Sequence, residues 1–177
     1  MTRPTRDEYF MAFAVLASER SACLRHKIGA VIIVDGQVVS TGYNGPPRGV
    51  SHCQHPSIPG TELEHGFDQV DECPTFYDAC NCNICVRIEL DIPSGTRIED
   101  CRGLHAEQNA IVQAARHGIS IKDSTMYCNF KPCITCMKMI INAGIKEVIY
   151  QQNYDDPYCE LMAEAGGITL RKFDFDV

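Results

Sequence analysis

Residues 104–173 alternate between helical and extended patterns, and this alternation restricts the possible folds more than any other feature of the chain. Apolar spacing and glycine positions predict, in order, a helix over 104–117 ending at Gly118, a strand over 124–129, a helix over 133–142 ending near Gly144, a strand over 146–150, a helix near 157–165 and a strand over 168–173. Elements that alternate in this way favour a layered domain, so we predict an α/β fold whose later strands run parallel.

The amino-terminal part predicts one helix followed by a hairpin. Apolar side chains recur at helical spacing over residues 7–20. The run "IGAVIIVDGQVVSTGY" then contains two β-branched segments separated by Asp35 and Gly36, which is a hairpin signal. The second strand leads into "GYNGPPRG", where glycine and proline predict a tight loop.

Residues 54–100 differ from the rest of the chain in charge and pattern. They contain ten acidic and two basic residues, a net charge of −8, so the remainder of the −7 chain carries +1. A loop of this length in a compact domain needs something to order it. The length of 177 residues favours one domain. We therefore predict a single domain over 1–177 with an irregular, acidic, cysteine-rich insertion at about 54–101.

Three residues of the alternating region have metal-ligand spacing. Cys133 and Cys136 stand at i and i+3, so on a helix their sulfurs share one face, and Pro132 suits the helix start. Alone, this pair is equally compatible with a redox site or half of a structural zinc site. His105 adds a nitrogen ligand. Two sulfurs and one nitrogen leave the fourth zinc position open for water, which is the pattern of a catalytic zinc.

Glu107 follows His105 by two residues and supplies a carboxylate for proton transfer. A zinc-bound water loses its proton near neutral pH, and a nearby carboxylate off the metal can accept that proton. Histidine-x-glutamate followed by P-C-x-x-C is the signature of zinc nucleobase deaminases, and it stands here as "HAE" and "PCITC". The alternative is a buried structural histidine, a solvated glutamate and an unrelated thiol pair.

These motifs carry a family resemblance. "KIGAVIIVDGQVVSTGYNGPPRG", "CRGLHAEQNAI" and "PCITCMKMIINAGIKEVIY" resemble segments of the deoxycytidylate (dCMP) deaminases, within the zinc-dependent cytidine/deoxycytidylate deaminase superfamily. The resemblance implies a three-layer α/β/α sandwich around a central five-stranded mixed sheet. It implies hydrolysis of dCMP to dUMP and ammonia, which supplies dUMP for thymidylate synthesis. It also implies homo-oligomers, often hexamers, that dCTP activates and dTTP inhibits. We expect Mg²⁺ to accompany each regulatory triphosphate, because the protein is acidic.

Six further residues are candidate nucleotide contacts. The GYNG loop of the resemblance assigns Asn44 to the substrate sugar, although Asn-Gly also suits a simple turn. Tyr154 follows a strand end, where α/β sheets bind ligands, and it either covers the nucleotide or packs in the core. The predicted contacts to phosphate or to the regulatory nucleotide, with surface charge as the alternative, are Arg25, Lys27, Gly45 and Arg48.

Four cysteines form a second candidate metal set. The resemblance implies that cysteines near these positions hold a structural zinc with a closed four-sulfur shell: Cys23, Cys53, Cys85 and Cys101. Alternative ligands nearby are His52, Cys73, Cys80 and Cys82, and free thiols in a loop are the other interpretation.

Charge and hydropathy limit the partners. A net charge of −7 disfavours binding long polynucleotides through their phosphates. No segment reaches the roughly 18 apolar residues of a membrane helix, and the amino terminus lacks a secretory apolar run, so we expect a cytoplasmic protein. The competing functions are another cytosine, cytidine or guanine deaminase, a tRNA adenosine deaminase, which should carry a basic face, and a non-enzymatic, zinc-stabilised interaction module.

Overall fold

The structure, a computed structural model, describes residues 3–50, 52–53 and 85–174. The chain forms two compact units. The larger unit comprises Met1–Ser21, Lys27–Asn44 and His105–Val177, and the smaller unit comprises Ala22–His26 and Gly45–Leu104. The single domain and the bounds of its insertion stay predictions, and residues 54–84 of that insertion lie outside the described residues.

The elements outside residues 54–100 agree with the sequence patterns, whereas two short helices lie in the segment that was predicted to be irregular. They run in chain order as α1 (Arg6–Ser18), β1 (Gly29–Val34), β2 (Gln37–Tyr43), α2 (Val86–Glu89), a short 3-10 helix (Ile98–Asp100), α3 (Ala106–Arg116), β3 (Thr125–Phe130), α4 (Ile134–Asn142), β4 (Glu147–Gln152), α5 (Pro157–Ala165) and β5 (Thr169–Lys172). Each predicted helix and strand is present, with ends that shift by no more than two residues. Within the described ranges, none of the helices has the length and apolar character needed to cross a bilayer.

The five strands form one mixed sheet in the order β2-β1-β3-β4-β5. β1 runs antiparallel to β2 and β3, whereas β3, β4 and β5 run parallel to one another. The predicted hairpin and the predicted parallel later strands are therefore confirmed. Asp35 and Gly36 turn the hairpin with φ angles of 49° and 77°, the left-handed backbone that two-residue hairpin loops require.

Side chains of β1 alternate between two cores, because successive residues of a strand point to opposite faces. Ala30 and Ile32 join the core that contains side chains of α3, α4 and α5. Val31 and Ile33 join the core around Phe10 of α1. Helices thus cover both faces of the sheet, which confirms the expected three-layer α/β/α sandwich.

Two glycines let helices approach the sheet at backbone distance. A Cβ on Gly42 of β2 would lie 2.1 Å from the carbonyl oxygen of Ala106 and 2.4 Å from the amide nitrogen of Ala110, both in α3. A Cβ on Gly29 of β1 would lie 2.1 Å from the carbonyl oxygen of Ala14 in α1. Gly42 therefore sets how closely the start of α3 lies against the sheet.

Backbone carbonyls order the described part of the smaller unit. Arg87 of α2 is buried and donates from Nη2 to the carbonyl oxygens of Pro93 and Thr96, at 3.1 and 2.8 Å. Gly45 and Leu104 pair through two backbone hydrogen bonds of 3.1 and 2.9 Å. The Arg87 contacts order the turn after α2, and the Gly45–Leu104 pairing brings the two ends of the segment 45–104 together.

Candidate metal centre

Two helix starts bring the three predicted ligands together. His105 is the N-cap of α3, Cys133 is the N-cap of α4, and Cys136 lies in the first turn of α4. His105 Nδ1 lies 3.4 Å from Cys133 Sγ and 3.3 Å from Cys136 Sγ. Of the residues that the structure describes, this is the one group of three or more His, Cys, Asp or Glu side chains whose ligand atoms all lie within 4.8 Å.

Extended backbone at both caps explains why the ligands face one another. His105 has φ −74° and ψ 159°, and its amide donates to the side chain of Gln108 at 2.9 Å, as in a capping box. Cys133 has φ −79° and ψ 167°, directly after Pro132. The predicted helices began at 104 and 133, whereas the observed helices begin one residue after each ligand. The ligands therefore lie at the helix ends, where two helices can converge.

The separations fit a zinc ion. Zinc bonds of about 2.3 Å to sulfur and about 2.0–2.1 Å to nitrogen place tetrahedral ligand atoms about 3.6 Å apart. The observed nitrogen–sulfur distances of 3.3 and 3.4 Å are close to that value. Cys133 and Cys136 are buried, and His105 is half-buried. Three protein ligands of this kind can hold zinc and leave one coordination position for a small molecule.

The two thiols divide their protons unequally. A hydrogen bond from Cys136, supported by one from His105 and opposed by burial, lowers the pKa of Cys133 to about 4. The same bond, together with burial, raises the pKa of Cys136 well above its ordinary value. The opposite directions of the two pKa shifts favour a single thiolate in the metal-free site, where the positive end of the α4 dipole also favours negative charge.

Glu107 is a buried carboxylate beside this cluster. Only 4% of the residue is exposed, and burial raises its pKa, although the charge of His105 acts in the opposite direction. A carboxyl group with a raised pKa accepts a proton more readily than a solvated one. The site therefore combines a metal-binding triad with an adjacent carboxyl group whose raised pKa suits it to take up and release a proton.

Comparison with known proteins assigns the family. Residues 4–152 match the cytidine and deoxycytidylate deaminase zinc-binding region. The chain belongs to this deaminase family. Deoxycytidylate deaminases of Schizosaccharomyces pombe and Saccharomyces cerevisiae are both 34% identical to it, over 97% and 99% of the chain. The chain spans about half the length of these relatives, 45% and 47% respectively.

A solved structure of the family confirms the fold. The dCMP deaminase of cyanophage S-TIM5, solved in complex with dCMP and dUMP, is 28% identical with a TM-score of 0.67. That match covers 98% of this chain and all of the phage chain. The resemblance that the sequence motifs predicted, and the mixed five-stranded sheet that it implied, are both confirmed.

Three of the candidate nucleotide contacts lie in the larger unit of this deaminase-family chain. Asn44 Oδ1 accepts from the amide of Ile28 at 2.9 Å, and the Asn44 amide donates to the Ile28 carbonyl at 3.0 Å. Its side chain therefore helps to join the end of β2 to the start of β1. Lys27 is exposed and pairs with Glu19 at 3.0 Å. Tyr154 is half-buried and precedes α5. Their contacts with nucleotide stay predictions.

The other three candidates lie in the smaller unit. Arg25 Nη1 donates to the carbonyl oxygen of Ile92 at 2.9 Å, so part of its guanidinium is already engaged. Gly45 is buried in its pairing with Leu104, and Arg48 is exposed. Phosphate or effector binding at these residues also stays a prediction.

All four cysteines of the second candidate set belong to the smaller unit. Burial raises the pKa of Cys53 to about 11; Arg102 opposes that rise, while Cys85, Cys101 and Cys23 add to it. The charges of the other three thiols therefore act on Cys53, and each of the four is free of disulfide bonding. No three of these four sulfurs, all of which the structure describes, lie within 4.8 Å of one another, so the four-sulfur ligand set stays a prediction. His52 is exposed, whereas Cys73, Cys80 and Cys82 lie outside the described residues.

Asp156 is a functional candidate that the motifs did not indicate. Its side chain accepts from the amides of Tyr158 and Cys159 as the N-cap of α5, and also from the amide of Ile134 at 2.8 Å. The sequence "DP" at a helix start predicts the cap. The contact with Ile134 depends on how α4 and α5 pack, which no local pattern encodes.

Proposed function

We propose that this chain is a zinc-dependent hydrolase that converts dCMP to dUMP and ammonia. The observation that carries the proposal is the convergence of His105, Cys133 and Cys136 beside the buried Glu107. The names of the two yeast relatives and the dCMP and dUMP bound to the phage enzyme support the choice of substrate.

In this proposal three side chains hold the metal. His105 binds through Nδ1, the nitrogen that faces both sulfurs, and the two cysteines bind as thiolates. Zinc, when bound, lowers the pKa of a coordinated water to about 7. Burial of both cysteines excludes bulk water from one side of the site, and their negative charge compensates that of the ion.

Glu107 acts as the proton shuttle. Its carboxylate accepts a proton from the attacking water, whose oxygen bonds to C4, and delivers that proton to N3 of the cytosine ring. Glu107 then takes the proton of the new C4 hydroxyl and gives it to the amine, so that the C4–N bond breaks and ammonia leaves. Burial suits both directions, because it brings the pKa of Glu107 upward toward the working pH, where a group can both accept and donate protons.

Contacts to the nucleotide determine whether the substrate is the monophosphate. Because the chain outside residues 54–100 carries a net charge of only +1, a specific cation must recognise the 5′ phosphate. One charge-assisted contact contributes about 1.5–3 kcal/mol, or about 10–150-fold in affinity. The proposed set consists of Asn44 and Tyr154 for sugar and base, and Arg25, Lys27, Gly45 and Arg48 for phosphate or effector.

A second zinc is proposed for the smaller unit, held by Cys23, Cys53, Cys85 and Cys101. The influence of the other three thiols on Cys53 and the absence of disulfides among the described cysteines support it. Four sulfurs would close the coordination shell, so this ion would stabilise the fold rather than react.

Regulation, assembly and location are proposed on the family resemblance. The proposal includes a cytoplasmic homo-oligomer, a hexamer, that is activated by dCTP and inhibited by dTTP, each bound with Mg²⁺. Opposite effects require each triphosphate to bind two states of the oligomer unequally. Hyperbolic dCMP kinetics that neither triphosphate alters would contradict this part alone.

The deciding experiment compares substrates on zinc-loaded protein. Initial deamination rates are measured with dCMP, deoxycytidine, dCTP and single-stranded DNA. We expect dCMP to be preferred over deoxycytidine by at least about 10-fold, because the nucleoside lacks the phosphate contact. Equal efficiency on deoxycytidine would make this a nucleoside deaminase, and preference for the polynucleotide would overturn the proposal. Alanine variants of Arg25, Lys27 and Arg48 then identify the residue whose loss reduces the preference for dCMP over deoxycytidine.

A further inference from the structure

One carboxylate caps both α5 and the helix that carries the cysteine ligands. Asp156 Oδ1 accepts from the amides of Tyr158 and Cys159 at 3.1 and 3.2 Å, and its Oδ2 accepts from the amide of Ile134 at 2.8 Å. Ile134 is the first residue of α4, where backbone N–H groups have no partner within the helix. Asp156 therefore fixes the start of α4 from outside.

A second contact holds the same loop from its other side. Lys131 is buried, and its Nζ lies 2.9 Å from Glu160 Oε1, one turn along α5 from Asp156. The amide of Lys131 also donates to the carbonyl oxygen of Gln152 at 2.8 Å. Cys133 thus lies in a four-residue segment, 131–134, that is bound at one end to Glu160 of α5 and at the other to Asp156, the N-cap of α5.

We infer that Asp156 is a positioning residue for the metal centre: its Oδ2 holds the start of α4 so that Cys133 and Cys136 meet His105 at ligand distance. The inference rests on the proposed zinc site. An ordinary helix cap needs only Oδ1, which already serves two amides of α5. The Oδ2 contact is additional, and it ends on the residue that directly follows a ligand.

Asp156→Asn separates the two roles. The amide oxygen is expected to face the two donors of α5, since asparagine is a good N-cap. The side-chain amide nitrogen of the asparagine then faces the Ile134 N–H. Both groups are hydrogen-bond donors, so the bond to Ile134 is lost. Asp155→Asn is the matched control, because Asp155 is the adjacent, exposed carboxylate and its replacement makes the same change of charge.

Zinc affinity is measured by competition with a chromophoric chelator. The zinc bound at the His105 site is the zinc content of each protein minus that of the same protein carrying His105→Ala, measured in parallel. Removing an outer-shell support for metal ligands typically lowers metal affinity about 10–100-fold, and we expect a loss in that range for Asp156→Asn and none for Asp155→Asn. With Co²⁺ in place of zinc, the thiolate-to-metal absorption should change in Asp156→Asn alone.

Melting of the metal-free proteins distinguishes positioning from general stability. Asp156→Asn should lower the melting temperature of the zinc-loaded protein more than that of the metal-free protein. Equal losses in both forms would make Asp156 an ordinary cap and overturn the inference. Wild-type zinc affinity and an unchanged Co²⁺ spectrum would overturn it as well, and would leave the proposed function intact. A wild-type protein that binds no zinc at His105 would overturn the proposed function itself.

Discussion

Replacing Gly42 with alanine should displace the helix that carries His105 and Glu107. The added Cβ would lie 2.1 Å from the carbonyl oxygen of Ala106, whereas contacts of a real Cβ essentially never fall under 3.0 Å. To reach 3.0 Å, α3 must move away from β2 by at least 0.9 Å, and to reach an ordinary contact distance of 3.4 Å it must move by 1.3 Å. Ala106 stands between His105 and Glu107, so both side chains move with it.

The expected cost follows from that displacement. A misplacement of about 1 Å at reacting groups can lower turnover by about 10²-fold. Overpacking also destabilises a core by about 1–3 kcal/mol. We therefore expect Gly42→Ala to remain folded, to melt at a lower temperature, and to show a kcat for dCMP that is about 100-fold lower per folded, zinc-loaded molecule.

Gly29→Ala is the matched control for this variant. Its Cβ would lie equally close, at 2.1 Å, to a helix carbonyl, but that carbonyl is Ala14 O of α1 on the opposite face of the sheet. Melting temperature, zinc affinity and kcat are measured for both variants. Both should lose stability, and Gly42→Ala should lose far more turnover. Wild-type kcat in Gly42→Ala, or equal losses of turnover in the two variants, would refute the argument that the β2–α3 approach positions the site.

Three further predictions concern individual side chains. The Glu107→Gln variant should keep its zinc, and its kcat should fall by about 10²–10⁴-fold or more. Burial raises the pKa of Glu107, so its negative charge destabilises the metal-free fold at pH 7. The metal-free Glu107→Gln variant should therefore melt no lower than metal-free wild type. Retained turnover in the zinc-loaded variant would exclude the shuttle role. In metal-free protein the pKa of Cys133, about 4 against an ordinary 9.0, predicts a thiolate whose stabilising effect is full above pH 9.0 and is lost as pH falls through about 4. The thiolate absorbance of wild type minus that of Cys133→Ser isolates this thiol from the other cysteines, and a difference that titrates near pH 9 would contradict the prediction. Metal analysis should find more than one zinc per chain, and Cys101→Ser should lower both zinc content and melting temperature, whereas no change in either would remove Cys101 from the ligand set.

The helices and strands could be predicted because they depend on short-range patterns. Apolar periodicity located each element of residues 104–173 to within two residues, and Asp35-Gly36 located the hairpin. The predicted starts of the two helices that carry the ligands were less accurate. His105 and Cys133 adopt extended cap conformations that a search for apolar periodicity counts as helix.

The roles of the candidate nucleotide contacts could not be ranked from sequence. Asn44 bonds the backbone of Ile28, and Arg25 bonds the carbonyl of Ile92, through hydrogen bonds that span 16 and 67 residues of chain. Lys27 pairs with Glu19 at the surface. The tertiary packing decides which backbone groups Asn44 and Arg25 bond, because the sequence contains many other groups that could accept or donate the same hydrogen bonds.

The sequence by itself determined which chemistry is available and on which elements it stands: two thiols one helical turn apart after Pro132, and a histidine and a glutamate at a helix start, in the order shared by the deaminase family. Only the tertiary structure decided that these groups meet. Parallel β3 and β4 set the start of α4 beside that of α5, Gly42 allows α3 to approach the sheet, and Asp156 bonds the first amide of α4. The physical reason is range, since ligand spacing within one helix is fixed by 3.6 residues per turn, whereas the distance between two helices depends on the whole core between them.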